Sequence, residues 1–189
     1  MDIRTHSAHH PRIKQHRGVT LLELMVTLTV ALILLSIAVP AMNMLIMNNR
    51  MSTQVNDLLT TIQGARSFAI THQQRTVLCP SSDHSACANS SAWQGGWIVF
   101  ADRNANQQRD DDESLSRVNN TPAKTLTINS SSGRTRIVFQ ADGTAGGSNT
   151  TITLCDARGS DQARAIIIAM NGRPRVSRTK SDGGPLNCR

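Results

Sequence analysis

Arg173, Arg175, Arg178 and Lys180 fall within NGRPRVSRTK, a stretch of this 189-residue chain that holds no acid. Gly172 permits a turn in front of them, while Pro174 fixes its own φ and pushes Arg173 toward an extended backbone. In an extended chain alternate side chains share a side at about 6.6 Å. Two rises of a nucleic-acid strand, at about 3.4 Å each, nearly match that spacing. The guanidinium forks of Arg173 and Arg175 could therefore grip successive phosphates, with Arg178 and Lys180 repeating the geometry and Arg164 or Arg158 as supports. The same residues also suit a solvated basic strand edge that discourages edge-to-edge pairing.

Other reactive residue types give weaker patterns. Cys79, Cys87, Cys155 and Cys188 allow two disulfides in three connectivities; proximity favours Cys79 with Cys87, leaving Cys155 with Cys188 to tie down the C-terminal tail. Zinc on Cys79, His84 and Cys87 lacks a second ligand pair, so no metal site is expected. Asp102, Asn104, Asn106 and Glu113 have the first, third, fifth and twelfth positions of a calcium loop, but Gln107 stands where the sharp turn wants Gly. A solvated hairpin loop rich in Asx turns explains the stretch better. No nucleophile motif surrounds His72 or His84, and no glycine loop cradles a phosphate, so neither an enzyme nor a cofactor is expected.

The elements that must carry these residues follow from an uneven composition. Hydrophobic residues make up 39% but aromatics only 3%, with no Tyr, so the core must be aliphatic and rows of stacking rings are disfavoured. Twenty Lys and Arg oppose 13 Asp and Glu, for a formal charge of +7. Leu24 to Asn49 is uncharged, and LMVTLTVALILLSIAV within it suits a membrane-spanning helix. Ahead of it Arg4, Arg12, Lys14 and Arg17 face only Asp2, a positive flank that should stay cytoplasmic and send the remainder outward. Glu23 near the start of this apolar run costs about 2–3 kcal/mol on insertion scales. Either it snorkels to the headgroups near the helix start, or the amine of a chain cut after Gly18 neutralises it.

Pro40 should kink or loosen the helix. Beyond it Met51, Val55, Leu58, Leu59, Ile62, Ala65, Phe68 and Ala69 recur at spacings of three and four, a stripe able to lie against a globular body. From about Gln74 short β-prone runs take over: Thr76 to Cys79, Gly96 to Ala101, Thr125 to Ile128, Thr135 to Phe139, Thr151 to Leu154, Ala165 to Ala169 and Arg175 to Arg178. Asn119 to Pro122, Ala141 to Asn149 and Ser181 to Pro185 read as turns. The expected class is α+β, a long N-terminal hydrophobic helix packed on a small antiparallel sheet or sandwich.

The string Arg17-Gly18-Val19-Thr20-Leu21-Leu22-Glu23-Leu24, followed by the apolar helix, resembles the type IV prepilin signal shared by pilins and pseudopilins. The family usually has Phe where this chain has Val19. The resemblance implies cleavage after Gly18 by a prepilin peptidase, N-methylation of Val19, and packing with other major and minor pilins, where Glu23 meets a neighbour's N-terminus. It divides the chain into a leader (1–18), a transmembrane and filament-core helix (19–50) and a globular domain (51–189). The protein would sit in the inner membrane with a periplasmic body, then in an extracellular pilus.

The body resembles the GspH/FimT-type minor pilins through Gly95-Gly96-Trp97-Ile98-Val99-Phe100, the Asp102-x-Asn104-x-Asn106 loop behind it, and Gly172-Arg173-Pro174-Arg175. In the DNA-uptake members of that family, the FimT type, the last element is implicated in DNA binding. The implied function is a minor pilin that binds extracellular DNA, largely without sequence preference, for natural transformation. The rival is a structural subunit that primes pilus assembly or type II secretion. Without the leader, 16 basic residues face 12 acidic ones, so the expected positive surface comes from segregated charge: Asp110 to Glu113 are acidic and the tail is basic.

Overall fold

A computed structural model describes residues 18–119 and 125–188. Residues 1–17, all of the expected leader except Gly18, lie outside the described residues, as does most of the expected Asn119 to Pro122 loop. The chain divides into two compact units between Met44 and Leu45.

The described part of the first unit is helical. Helix α1, Leu21–His72, begins in this unit and runs through Pro40 without interruption. Thr20 caps it: its Oγ1 accepts the Glu23 amide at 3.2 Å, the N-terminal half of a Thr-x-x-Glu capping box. Glu23 thus lies in the first turn, where unsatisfied amides favour a carboxylate. The apolar side chains here are exposed, and the segment is long and apolar enough to cross a bilayer. Thr27, Thr29 and Ser36 satisfy their hydroxyls by donating back to the carbonyls of Leu24, Met25 and Ile33, so they sit in the apolar run without needing water.

The second unit holds the end of α1 and two four-stranded antiparallel sheets. One, ordered β3-β2-β1-β5, contains β1 (Thr76–Pro80), β2 (Trp97–Ala101), β3 (Leu115–Asn119) and β5 (Ile137–Phe139). The other, ordered β4-β6-β7-β8, contains β4 (Thr127–Ser130), β6 (Thr150–Cys155), β7 (Arg164–Ile168) and β8 (Pro174–Ser177). The helical stripe enters one core against both sheets: Leu58 and Ile62 join Leu78, Trp97 and Phe139 from the first and Ile128, Ile152 and Ile166 from the second. The core is not purely aliphatic as expected, because Trp93, Trp97 and Phe139 are buried in it. Phe68, expected in that stripe, is only half-buried.

β3 was not expected from the sequence. Its LSRVN has almost no alternation, and only Asn119 is buried. The strand exists because the exposed edge of β2 pairs it, with a register slip between Val99 and Phe100. β4 lies two residues later than expected, and β8 ends at Ser177, one residue early.

Each sheet also has an outer apolar patch. Val77, Cys79, Ile98, Phe100 and Val138 form one, with Cys87 and Leu115 beside them. On the other sheet Leu186 covers Ala163, Ala165 and Ile167, next to Cys155 and Cys188. Disulfides Cys79–Cys87 and Cys155–Cys188 fasten these covers. With Cys79 and Cys87 bonded to each other, neither is left as a thiolate for zinc.

Candidate functional site

The basic segment begins in a stack of two tight turns on the end of α1. In the first, Gly143 donates its amide to the Gln140 carbonyl at 2.8 Å; in the second, Gly172 donates to Ala169 at 2.9 Å. Ala145 links them by donating to Met170 at 2.9 Å. Arg66, on α1, donates Nε to the Gly143 carbonyl at 3.0 Å and so ties the helix to the stack. Gly172 is buried with φ +74°, and a Cβ there would stand 2.0 Å from the Gly143 carbonyl oxygen. Glycine is required here by both conformation and space. Arg66 and Gly143 thus position the segment, and no local motif marked either of them.

From that fixed point the chain passes directly into β8, the edge strand of its sheet. The Asn171 side chain accepts the Arg173 amide at 3.1 Å, holding the entry to the strand. Arg175 pairs with Ile167 and Pro174 with Ile168. Arg173, Arg175 and Arg178 are exposed, and none has an ion pair among the described residues.

The expected repeat of the spacing stops there. Ser177 Oγ accepts the Thr179 amide at 3.1 Å, and Lys180 and Gly184 close a turn through a 2.8 Å bond. This hydroxyl-capped turn ends the extended backbone, so Arg178 and Lys180 do not continue the alternation of β8. Lys180 is half-buried and lines a polar cavity of about 270 Å³ with Asn129, Thr151, Thr153 and Asp182.

The two expected supports differ. Arg164 opens β7, half-buried, and donates to the carbonyls of Gln162 and Ala163. Burial, then the nearby charges of Arg178 and Arg158, hold its pKa below the usual guanidinium range, so three cations share this region. Arg158 is largely consumed: it bonds Asp156 at 2.6 Å and Asn48 at 2.7 Å, and its pKa is raised by the Asp156 bond. Its charge is cancelled locally, which removes it as a free phosphate contact.

The acidic stretch is occupied elsewhere. Buried Glu113 accepts the amides of Arg103 at 2.7 Å and Asp110 at 3.2 Å, while Asp110 accepts the side-chain amides of Asn104 and Asn106. Asx turns at Asn104 and Asn106 build the β2–β3 connection, although Asp102 and Glu113 at its ends are buried where a solvated loop was expected. Gln107 takes a positive φ at the place reserved for glycine in a calcium loop, and among the described residues no cluster of three His, Cys, Asp or Glu side chains could hold a metal. At the other end of the chain Gly18 and Val19 are exposed ahead of α1.

The family described as Type II transport protein GspH matches residues 54–172, and the prokaryotic N-terminal methylation motif matches residues 13–39. The chain belongs to the GspH family. Two crystal structures of the Pseudomonas aeruginosa type IV minor pilin FimU share the fold of this GspH-family chain, each with a TM-score of 0.56. One is 21% identical over 75% of this chain and 96% of its own; the other is 20% identical over 73% and 99%. No curated protein sequence matches it. This GspH-family chain thus joins an N-terminal methylation motif to an apolar helix that fits membrane anchoring and to a body with the fold of a minor pilin. Family and fold are those of structural pilins.

Proposed function

We propose that this minor pilin binds extracellular DNA for uptake in natural transformation, in the manner of the FimT type. The observation that carries the reading is the pair Arg173 and Arg175, exposed and without ion pairs among the described residues, held at the entry of an edge strand by the buried Gly172. Ordering the segment before DNA arrives lowers the entropic cost of binding. Arg178 adds a third exposed cation, while Lys180 and Arg164 contribute from half-buried positions. Contacts to phosphates carry no base information, so unrelated sequences should bind alike.

Three phosphate contacts on duplex DNA give a slope of about −2.7 in log K against log salt. Replacing two of the three, Arg173→Ala with Arg175→Ala, should flatten it to about −0.9. A gel-shift series at several salt concentrations, with the full chain in neutral detergent, measures both. An unchanged slope in the double variant would rule out this segment as the DNA contact.

We further infer that a prepilin peptidase cleaves after exposed Gly18, that Val19 becomes the methylated N-terminus, and that Glu23 meets a neighbouring subunit's amine during assembly from the inner membrane. The likeness to FimU favours a second reading, a structural subunit that primes a pilus or pseudopilus. Deletion separates the two: loss of transformation with piliation intact supports DNA uptake, and loss of filaments or secretion supports the structural role.

A further inference from the structure

A second pair of arginines, far from the tail in sequence, meets across two loops. Arg109 lies in the β2–β3 connection, and Arg136 immediately precedes β5. Both line a cavity of about 220 Å³ whose other walls are Ala86, Cys87, Asn89 and Gln108. The Cys79–Cys87 disulfide anchors one wall to β1.

Their orientation is fixed by neutral acceptors. Arg136 donates Nη1 to the Gln107 carbonyl and Nη2 to Asn89 Oδ1, each at 2.5 Å. Arg109 donates Nη1 to the Ser85 carbonyl at 3.2 Å, and its Nε is buried with no hydrogen-bond partner among the described residues. Neither guanidinium has a carboxylate within ion-pair distance among the described residues. The nearby acids are committed. Asp83 accepts Ser81 Oγ and the amides of Ser85 and Ala86, Asp110 holds two asparagine amides, and Glu113 holds two backbone amides. Two like charges therefore face one polar cavity with an orphaned N–H between loops that already fix their geometry.

We propose that this cavity binds a phosphoryl group, with Arg109 and Arg136 as its two guanidinium ligands. Planar forks suit a tetrahedral oxyanion, which would take the Nη protons that the Ser85, Gln107 and Asn89 oxygens leave over and offset the like charges of the pair. The Asn89 side chain, already accepting from Arg136, keeps its amide N–H groups to donate. The phosphoryl group is either free inorganic phosphate or one phosphate of a nucleic acid. This site stands on its own residues and does not depend on the tail.

The test is ³¹P line broadening of inorganic phosphate by the full chain in neutral detergent. Arg136→Gln should weaken phosphate binding about tenfold, the equivalent of one charge-assisted hydrogen bond. Because Arg136 also braces two loops, Arg109→Gln is the companion variant, with the fluorescence of buried Trp93 and Trp97 reporting that each variant is folded. Competition of phosphate against duplex DNA, together with weaker DNA binding by Arg109→Gln, identifies a nucleic-acid phosphate as occupant; loss of phosphate binding with unchanged DNA affinity identifies the free anion. No broadening by the wild-type chain, or equal broadening by both folded variants, overturns the site even where the tail variants still alter DNA binding.

Discussion

A methyl group on Gly172 would collide with the Gly143 carbonyl oxygen at 2.0 Å and would also occupy a backbone region that costs an L-residue about 1–2 kcal/mol. Relief requires the two turns to separate, which breaks the 2.9 Å bond from Ala145 to Met170 and the 3.0 Å bond from Arg66. Adding the about 1–3 kcal/mol typical of overpacking, Gly172→Ala should cost about 2–5 kcal/mol. Denaturant unfolding at neutral pH measures it, and a loss below 0.5 kcal/mol, roughly the level of an inert surface change, would show that the turns are not locked together. The glycine of the Gly-Arg-x-Arg element thus has a steric role distinct from the charge role of its arginines. In the sequence Gly172 reads only as a turn. Its partner, Gly143, lies 29 positions earlier, so no local pattern could announce the contact.

Among the elements, the C-terminal tail depends most on a covalent tie. After β8 it turns at residues 180–184 and lays Leu186 over the outer face of β7. Cys155–Cys188 spans 33 residues and Cys79–Cys87 spans 8. Loop entropy gives about 3–4 kcal/mol for the long bridge and about 2–3 kcal/mol for the short one. Paired Cys→Ser replacements, compared by denaturant melts, should rank in that order; the reverse order would mean that strain or packing, and not loop length, governs the tail. Most strands were legible because β1, β2 and β7 carry short apolar runs rich in β-branched or aromatic residues, buried along most of their length. β3 was not, since LSRVN is held by pairing with β2 and by Arg117 and Asn119 bonding to Asp57 on α1, contacts that its own pattern does not announce. The repeat of the basic spacing was misread for a related reason: Arg178 looks like a strand residue in sequence, and only the bond from the Thr179 amide to Ser177 shows that the strand ends before it.

At the scale of the whole molecule, acid stability draws on carboxylates that different loops hold ionised. The amides of Ser85 and Ala86 push Asp83 well below the usual carboxylate range; the Thr144 amide and hydroxyl lower Asp142; the Arg158 side chain lowers Asp156 despite partial burial. A lowered folded-state pKa stabilises above the unfolded value, about 3.9 for Asp, and that contribution is lost as pH falls toward the folded value. Stability should therefore hold at neutral pH and decline below about pH 4. Asp156→Asn should be less stable at neutral pH yet show a shallower decline in acid, as followed by tryptophan fluorescence. A steeper acid decline in the variant would contradict the assignment of Asp156.

The sequence by itself determined the apolar helix, the charge-free run behind a basic flank, the helical stripe that enters the core and the α+β class. Each of these depends on residue type and on periods of two or near four, which neighbours along the chain express. The tertiary structure decided which cations remain available. Arg158 is cancelled by Asp156, Lys180 is drawn into a turn, and the acidic loop spends its carboxylates on its own amides. Arg109 and Arg136, 27 positions apart, come to share one cavity. Whether a charge is free or spent depends on distances of a few ångströms between segments that chain order does not bring together, because Coulomb and hydrogen-bond energies are set in space.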